Sequence, residues 1–266
     1  MSESVKIAEI NEKAMMENES IENEEFEMLA GYLDKEGKTH KTFELEEITG
    51  ADEEAIAKKD ISSNAGKIVR VLLERCCIRI GTFYKKDMRA DAWKSIIQNL
   101  LVADQDYMSI KLREISMSET MDVAYKCPAC EADLKVQIKI EDLEIKEFNG
   151  NRIMSFELPR GFKDKDGNRL KKGTITYPNG YDREVLSPIV QRNVGQANTM
   201  MLVRCIKELE GRPVTDLMMK QLSFKDRTYL FKLMAENEFG LKEEIDVDCH
   251  ECGHSFVAPL TSVNFI

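Results

Sequence analysis

The sequence predicts an α+β protein made of two tandem homologous units. Three observations predict this class. Similar segments recur in the same order in both halves, helical periodicity occupies the middle of each half, and each half ends in short alternating strands around a Cys-x-x-Cys pair. With 266 residues, of which 42% are hydrophobic, the chain can form one large core or two smaller ones. We predict an N-terminal arm at 1–25, a first unit at 26–150 and a second unit at 151–266.

The N-terminal arm is strongly acidic. Residues 1–30 contain nine Glu and two Lys, so they carry −7 of the chain's net charge of −10. A segment that is this charged and this poor in aromatic residues is expected to be disordered, or to fold as a helix on a partner. Val5, Ile7 and Ile10 have spacings that allow such a partner-bound amphipathic helix.

An internal repeat is visible when residues 26–56 are aligned with 156–186. Ten of these 31 positions are identical, whereas unrelated segments of ordinary composition share about two. The similarity continues downstream in the same order: Asn64 with Asn193, Gly66 with Gly195, Arg75 with Arg204, Asp104 with Asp226, Tyr107 with Tyr229, and the two Cys-x-x-Cys pairs. This constant order predicts a tandem duplication of a unit of roughly 115–125 residues.

Each unit is predicted to open with a β-hairpin, because Gly after an acidic residue between strand-like segments is typical of a hairpin turn. The two turns lie at 34–37 and 164–167. Apolar residues at steps of three and four then predict helices at 64–80, 88–101, 103–114, 196–209 and 226–238. We expect Asp216 and Asp226 to cap helices of the second unit. Alternating residues predict half-buried strands beside each Cys-x-x-Cys pair.

The seven cysteines fall into two groups. The N-terminus lacks a basic start followed by an apolar stretch, so we expect no secretory signal and a reducing compartment in which thiols stay free. Cys76, Cys77 and Cys205 lie in apolar runs and are predicted to be small core residues. The other four form the two Cys-x-x-Cys pairs and are predicted to bind a metal: Cys127, Cys130, Cys249 and Cys252.

The two pairs predict one structural Zn²⁺ per chain. A Cys-x-x-Cys turn at the tip of a hairpin, a zinc knuckle, aims two sulfurs at one point, and two knuckles complete a tetrahedral shell. The pairs are separated by 118 residues, far more than in a zinc ribbon. A knuckle at the same place in both units nevertheless allows a pseudo-two-fold arrangement that brings four thiolates together. Such a closed shell leaves no open coordination position for catalysis.

Three alternative roles for the cysteine pairs remain open at this point. Each knuckle could complete its zinc shell with a partner chain. The second knuckle could instead recruit His250 or His254 as a ligand. A thioredoxin-like redox pair fits least well, because neither pair opens a helix within a βαβ unit.

Other features of the sequence argue against an enzyme, a nucleic-acid binder and a membrane protein. The chain contains no phosphate-binding loop, dinucleotide fingerprint, zinc-protease motif or serine-hydrolase motif, and it has only three His. Its net charge of −10 and its isolated Lys pairs disfavour binding to a phosphate backbone. No apolar run approaches the ~18 residues that a membrane span requires.

The second unit resembles a known protein family. Its Phe-Glu-Leu-Pro-x-Gly-Phe strand, Asp-x-Asp-Gly turn and terminal Cys-x-x-Cys knuckle with a short apolar tail are similar to the T4-type baseplate and tail-assembly proteins. These occur in contractile phage tails, tailocins and contractile injection systems. The residues that carry the resemblance are Phe156, Glu157, Leu158, Pro159, Gly161, Phe162, Asp164, Gly167, Cys249, Cys252 and Phe265. The resemblance covers 153–266 closely and 26–148 more faintly, since Leu29 replaces the Pro and Glu131 stands where the second knuckle has Gly253.

The resemblance implies a non-enzymatic structural or assembly component of a tail baseplate. Such a protein would contact other tail proteins of the hub, wedge, tube or spike, and an oligomer within the assembly is compatible with this role. It would assemble in the bacterial cytoplasm and reside in the contractile tail or virion baseplate if it is retained. The alternative function is a zinc-ribbon adaptor that binds nucleic acid or a protein partner.

Overall fold

The computed structural model describes residues 24–242 and 244–260, and it mixes 41% helix with 32% strand. The α+β class predicted from the sequence is therefore confirmed. The predicted acidic arm lies outside the described residues except for its last two positions, and so does Phe265 of the apolar tail. Among the described helices, none is both long and apolar enough to span a bilayer.

The first half of the chain contains a four-stranded sheet and a group of helices. Its elements are, in chain order, β1 (Glu25–Leu33), β2 (Thr39–Leu45), α1 (Gly50–Ala57), α2 (Lys59–Ser62), α3 (Ala65–Cys76), β3 (Cys77–Ile80), β4 (Phe83–Tyr84), α4 (Ala90–Asn99), α5 (Val102–Ser116), β5 (Thr120–Lys126) and β6 (Asp133–Lys139). Strands β1 to β4 form one antiparallel sheet in that order. Strands β5 and β6 form a separate hairpin at the end of this half.

One apolar core joins the first sheet to helices α3, α4 and α5. Each of these elements contributes side chains that are almost completely buried, among them Phe43 of β2, Leu72 of α3, Trp93 of α4 and Met108 of α5. Burying a large apolar side chain of this kind contributes roughly 1.5–3 kcal/mol to stability. The first half therefore has a substantial core of its own, which does not include the terminal hairpin.

The second half also combines a sheet, helices and a terminal hairpin, and its sheet has three strands. Strand β7 (Ile145–Lys146) lies at the end of the first half. The elements of the second half are β8 (Ile153–Lys163), β9 (Arg169–Thr176), α6 (Gly180–Val190), α7 (Val194–Cys205), β10 (Ile206–Leu209), α8 (Asp216–Gln221), α9 (Phe224–Glu236), β11 (Gly240–Leu241), β12 (Glu244–Asp248) and β13 (Ser255–Pro259). The sheet order is β10–β9–β8, and its core includes Phe156, Ile175, Leu202 and Leu230. Strand β7 pairs with β11, and β12 pairs with β13 in a second terminal hairpin.

Both opening hairpins have an irregular register that a buried aspartate supports. The carboxylate of Asp104 accepts hydrogen bonds from Ala30 N at 2.9 Å and from Gly31 N at 3.0 Å. The carboxylate of Asp226 accepts one from Arg160 N at 2.7 Å. The register shifts at this place in both hairpins, and the bulged glycine of each has a positive φ, 83° in the first and 78° in the second. A bulge frees backbone N–H groups from the ladder, and the aspartates satisfy them.

The helices predicted at 64–80 and 196–209 are each too long by four residues. Helix α3 ends at Cys76 and α7 ends at Cys205, and the four residues that follow each of them form a strand. Those strands, β3 and β10, pair with β2 and β9. A four-residue segment with an apolar residue at each end fits a buried strand as well as the last turn of a helix, so periodicity alone could not separate the two. Each segment forms a strand because it pairs with the edge of the neighbouring strand, β2 or β9.

The predicted caps Asp216 and Asp226 are also wrong. Thr215 caps α8 by accepting a hydrogen bond from Met218 N, and Ser223 caps α9 by accepting one from Asp226 N. Hydroxyl side chains are as suitable as aspartate for this position. The carboxylate of Asp226 remains available to the hairpin bulge.

The two halves also pack directly against each other, away from the terminal hairpins. Helix α3 lies so close to α6 that a Cβ added to Gly66 would be 2.7 Å from Glu184 N. Asn64 donates a hydrogen bond to Glu184 O at 2.9 Å. Arg70 lies 3.0 Å from the Glu184 carboxylate, and both side chains are largely buried. This contact therefore combines close backbone packing with an ion pair that is shielded from water.

A second part of the same interface joins the start of α5 to the start of α6. Val102 N donates a hydrogen bond to Pro178 O at 3.0 Å, and Arg183 pairs with Asp106 at 2.6 Å. Burial raises the pKa of Asp106, although the charge and hydrogen bond of Arg183 favour its ionised form. Removal of either partner would leave a charge buried without compensation.

This contact between the halves is not two-fold symmetric. Gly195 of α7 occupies the position that matches Gly66 of α3, but Gly195 is exposed. Among the described residues, only the Asn193 side chain would lie within 4 Å of a Cβ added there, at 3.3 Å. The surface around Gly66 in the first half is therefore covered by the second half, whereas the matching surface around Gly195 is exposed.

Candidate metal centre

The first knuckle closes the hairpin of β5 and β6. These strands pair in continuous register up to the turn. Within the turn, Cys127 N donates to Ala132 O at 3.0 Å, and Glu131 N donates to Cys127 O at 2.9 Å. Two backbone hydrogen bonds across six residues hold the turn in one tight conformation. Glu131 has a φ of 60° as a consequence, a left-handed conformation that residues other than Gly rarely adopt.

The second knuckle repeats this geometry on the hairpin of β12 and β13. Cys249 N donates to His254 O at 2.9 Å, and Gly253 N donates to Cys249 O at 2.8 Å. Gly253 has a φ of 73° and matches Glu131 of the first turn. The two turns therefore have the same hydrogen-bond pattern and the same left-handed residue after the second cysteine.

The structure brings all four of these cysteine sulfurs together. They lie within 4.8 Å of one another, and two of the contacts between the hairpins are 3.7 Å each, Cys127 with Cys252 and Cys130 with Cys249. Four sulfurs at about 2.3 Å from a central ion would be separated by about 3.8 Å along each edge of a regular tetrahedron. A disulfide would need about 2.05 Å, so these thiols are free. The spacing and the all-sulfur donor set both fit Zn²⁺.

The contacts between the knuckles are reciprocal. The first cysteine of each knuckle lies against the second cysteine of the other. Cys127 and Cys249 are buried, whereas Cys130 and Cys252 are exposed at the tip. The sulfur cluster is thus two-fold symmetric in its local arrangement, although the packing of the two halves behind it is not.

A small apolar cluster packs against the two buried cysteines of the sulfur cluster. Leu134, Val247 and Ala258 are buried beside Cys127 and Cys249. A hydrogen bond from Tyr125 Oη to Pro259 O, 2.9 Å long, links the two hairpins directly. A further apolar cluster, which includes Ile110 of α5, packs the hairpins against that helix. The knuckles therefore rest on packed hairpins.

The thiols affect one another's ionisation. Burial opposes ionisation of Cys127, but the N–H groups of Cys130 and Ala129 and two neighbouring thiols stabilise its thiolate and lower its pKa to about 6. Ala132 N–H also favours the thiolate of Cys130, but the other three sulfurs and burial act against it and raise its pKa to about 12. Because like charges at these distances repel one another, four thiolates would need a cation among them.

The geometry favours a site made by the four cysteines over the alternatives. His250 is exposed and lies 3.3 Å from Glu251, and neither it nor His254 belongs to the sulfur cluster. Both Cys-x-x-Cys turns connect antiparallel strands, so neither has the helix N-terminus of a thioredoxin-like pair. A shell completed by a partner chain is unnecessary, because the chain itself supplies four sulfurs at one place.

The three other cysteines have the surroundings of core residues, as predicted. Cys76, Cys77 and Cys205 are all at most 2% exposed. Burial raises the pKa of Cys76 and of Cys205 to about 12, and it raises that of Cys77 further. These thiols stay protonated at neutral pH and are unsuited to bind a metal.

The sequence analysis did not identify the residues that hold the two knuckles together. Tyr125 lies two residues before Cys127, so strand alternation places both side chains on the same face. That two-residue spacing could have predicted that Tyr125 lies beside the cysteine cluster. The pairing of β7 with β11 gave no signal, because two-residue strands carry no periodicity.

The sulfur cluster and the fold can be compared with known proteins. The family profile described as T4 bacteriophage base plate protein matches residues 35–264. The chain belongs to this family. The match spans both halves and both knuckles, so it extends the resemblance, which was closest at 153–266, to nearly the whole chain. No curated protein and no solved structure matches the chain significantly.

Replacing Glu131 with Gly should stabilise this baseplate-family chain by about 0.5–1 kcal/mol. A left-handed conformation costs a non-glycine residue roughly 1–2 kcal/mol, and Gly loses only part of that gain through its greater freedom in the unfolded chain. Chemical denaturation of the metal-loaded protein measures the change.

The matched control for this substitution is Gly253→Glu, which introduces the same strain into the other knuckle. It should destabilise the protein by about 0.5–1 kcal/mol, because the same two contributions act with opposite sign. A loss of stability in Glu131→Gly, or no loss in Gly253→Glu, would contradict the left-handed geometry of these turns.

Proposed function

We propose that this protein is a non-enzymatic structural or assembly component of a contractile-tail baseplate, in a phage, a tailocin or an injection system. The single observation that carries the proposal is the family match over residues 35–264. The described residues add a second line of support, because their one cluster of metal-ligating side chains is a closed set of four thiols with no catalytic group among them.

We also propose that one structural Zn²⁺ binds to Cys127, Cys130, Cys249 and Cys252. The tetrahedral spacing of the sulfurs and their reciprocal contacts support this assignment. Zinc bound by four thiolates supplies no Lewis-acid chemistry, since all its coordination positions are filled. Its role is to hold the C-terminal ends of the two halves together.

The two halves are proposed to be products of an internal duplication, with units at 26–150 and 151–266. Several paired features support this origin besides the sequence identities. Each half has an opening hairpin with a bulge held by a buried aspartate, and an Asn that caps the following long helix, Asn64 or Asn193. Each also has an ion pair between corresponding residues, Asp52 with Arg75 and Asp182 with Arg204.

The partners of such a protein are other tail proteins, and we propose that they belong to the hub, wedge, tube or spike. Assembly would take place in the bacterial cytoplasm, and the finished particle would hold the protein in its baseplate if it is retained. A rigid, zinc-bound pair of units suits this role, because a baseplate subunit must present its contact surfaces in a fixed relation to each other.

Purified zinc-loaded protein should bind tail proteins expressed from the neighbouring genes, and it should not bind DNA. We expect co-elution with at least one hub, wedge, tube or spike protein, and a change in binding of less than about tenfold between 50 and 200 mM salt. Affinity for duplex DNA that falls steeply over this salt range would instead identify a nucleic-acid adaptor.

Deletion of the gene provides the matching test in cells. We expect the deletion strain to produce tails without a functional baseplate. Supplying the wild-type gene should restore functional tails. Normal, infective tails from the deletion strain would contradict a baseplate role.

A further inference from the structure

The contact between the two halves joins two different surfaces. The first-half face contains the residues of α3, α4 and α5 that touch the second half: Asn64, Gly66, Gln98, Val102, Ala103 and Asp106. The second-half face contains the residues before and within α6 that receive them: Tyr177, Pro178, Gly180, Arg183, Glu184 and Ser187. A contact between unlike surfaces of related units is heterologous, and it leaves one copy of each surface unused.

The unused copy of the first-half face lies on the second half, and its residues are exposed. Asn193 and Gly195 match the buried Asn64 and Gly66, and both are accessible. Phe224 matches Val102, which is partly covered by the other half, yet the Phe224 side chain is 85% exposed. An aromatic side chain exposed to this degree at the start of a helix is expected to have a partner in the assembled protein.

The unused copy of the second-half face lies on the first half, and it is exposed as well. Ile48, Gly50, Glu53 and Glu54 match Pro178, Gly180, Arg183 and Glu184 in the alignment of the two units. Gly50, Glu53 and Glu54 are exposed, and Ile48 is half-buried. The start of α1 thus offers the carboxylates of Glu53 and Glu54 to an incoming surface, beside Ile48, which is half-exposed and also packs against the core of the first half.

The charges of the two unused faces are complementary at two pairs of matching positions, and Lys220, the lysine of the first pair, also contacts Asp216 of its own helix. Within the chain, Gln98 donates to the Glu184 carboxylate at 2.8 Å, and the matching positions hold Lys220 and Glu54.

A second pair of matching positions has the same complementarity. Ala103 and Tyr177 line one cavity between the halves, and the matching positions hold Lys225 and Glu47. A repeat of the internal contact between two chains would therefore place two Lys opposite two Glu, and Phe224 beside Ile48.

We propose that this protein self-associates head to tail through these two faces. In this contact, helices α7, α8 and α9 of one chain bind to the start of α1 in the next chain. The second half of the first chain thus has the role that the first half has in the internal contact. Because the contact is heterologous, it repeats from chain to chain and produces a ring if the rotation closes, or a filament if it does not. The proposal depends on neither the zinc site nor the tail role, but it rests on the proposed duplication, which supplies the matching positions, and on the packing of the halves.

Charge reversal on each face tests this proposal. In the double variant Lys220→Glu with Lys225→Glu, the two new carboxylates would face Glu54 and Glu47. In the double variant Glu47→Lys with Glu54→Lys, the two new ammonium groups would face Lys225 and Lys220. All four side chains are exposed, so both double variants should keep the fold. Each should weaken self-association at least about tenfold, as like charges face each other.

Combining the four substitutions restores opposite charges across the contact, and it should return self-association to within about tenfold of wild type. Lys35→Glu with Lys165→Glu is the matched control, because it reverses two exposed charges at the hairpin turns, away from both faces. This control should associate like wild type. Sedimentation equilibrium or light scattering over a concentration series at low salt measures each mass, and circular dichroism checks the fold.

The expected pattern is a wild-type mass that rises above the monomer, a loss in each double variant and a recovery in the four-site variant. Wild-type protein that stays monomeric up to about 1 mM would overturn the proposal. Equal association in wild type and in either double variant would also overturn it, and so would a four-site variant that remains as dissociated as the two doubles.

Discussion

If the proposed zinc site forms, Cys249→Ser should abolish zinc binding and lower the free energy of unfolding by at least about 3 kcal/mol. A complete thiolate site contributes about 10–16 kcal/mol in zinc-finger peptides, and a shell with one hydroxyl in place of a thiolate loses much of that affinity. Cys249 is one of the two buried sulfurs, so its replacement also leaves an oxygen in an apolar cluster. We expect the two terminal hairpins to separate first, because each half retains its own core.

Metal analysis beside thermal denaturation measures this effect. Wild type should contain one zinc per chain, and a chelator should lower its Tm to that of Cys249→Ser, while the Tm of the variant should not respond to the chelator. Cys205→Ala is the control for loss of a thiol elsewhere, since Cys205 lies in the core of the second half, and it should keep one zinc.

The zinc count separates the possible outcomes. Two zinc ions per chain would mean that each knuckle completes its shell with another chain. No zinc in protein purified without chelators would refute the metal site, and an unchanged melting curve for Cys249→Ser would refute a role of zinc in stability.

The overall class and the grouping of four cysteines could be predicted because they depend on local or repeated signals. Helical periodicity over ten or more residues identified α3, α4 and α5, and their boundaries were correct to within a few residues where no apolar strand followed. The cysteine pairs were grouped through the repeat, because equal positions in two related units can meet across a local two-fold. The computed structure brings these sulfurs together, as that argument expected.

The packing of the halves could not be predicted, because it depends on surfaces that carry no periodic signal. A pseudo-two-fold arrangement was the simplest expectation for two related units, and it describes the knuckles but not the bodies. Gly66 and Gly195 are equivalent in the sequence, yet one is covered and the other is exposed. Matching positions in the sequence predict similar local structure, whereas burial depends on which neighbour each half contacts.

Gly66→Ala should destabilise the protein by roughly 1–3 kcal/mol, through the packing of α3 on α6. A Cβ at this position would lie 2.7 Å from Glu184 N and 2.8 Å from Arg183 C, and both atoms belong to the backbone of a helix. They cannot move aside as the end of a flexible side chain can, so the helices must separate. Separation would also weaken the hydrogen bond from Asn64 to Glu184 O. Alanine is the better helix former by roughly 0.5–1 kcal/mol, so the observed loss is a net value.

Gly195→Ala is the matched control, because it places the same methyl group at the same position of the equivalent helix. Only the Asn193 side chain would be near it among the described residues, at 3.3 Å, so the change should leave stability within about 1 kcal/mol of wild type. Urea denaturation of the metal-loaded proteins compares the two variants directly. Equal effects at Gly66 and Gly195 would mean that α3 does not pack on α6. A large loss at Gly66 alone would establish that contact between the halves, which stabilises the chain independently of the zinc.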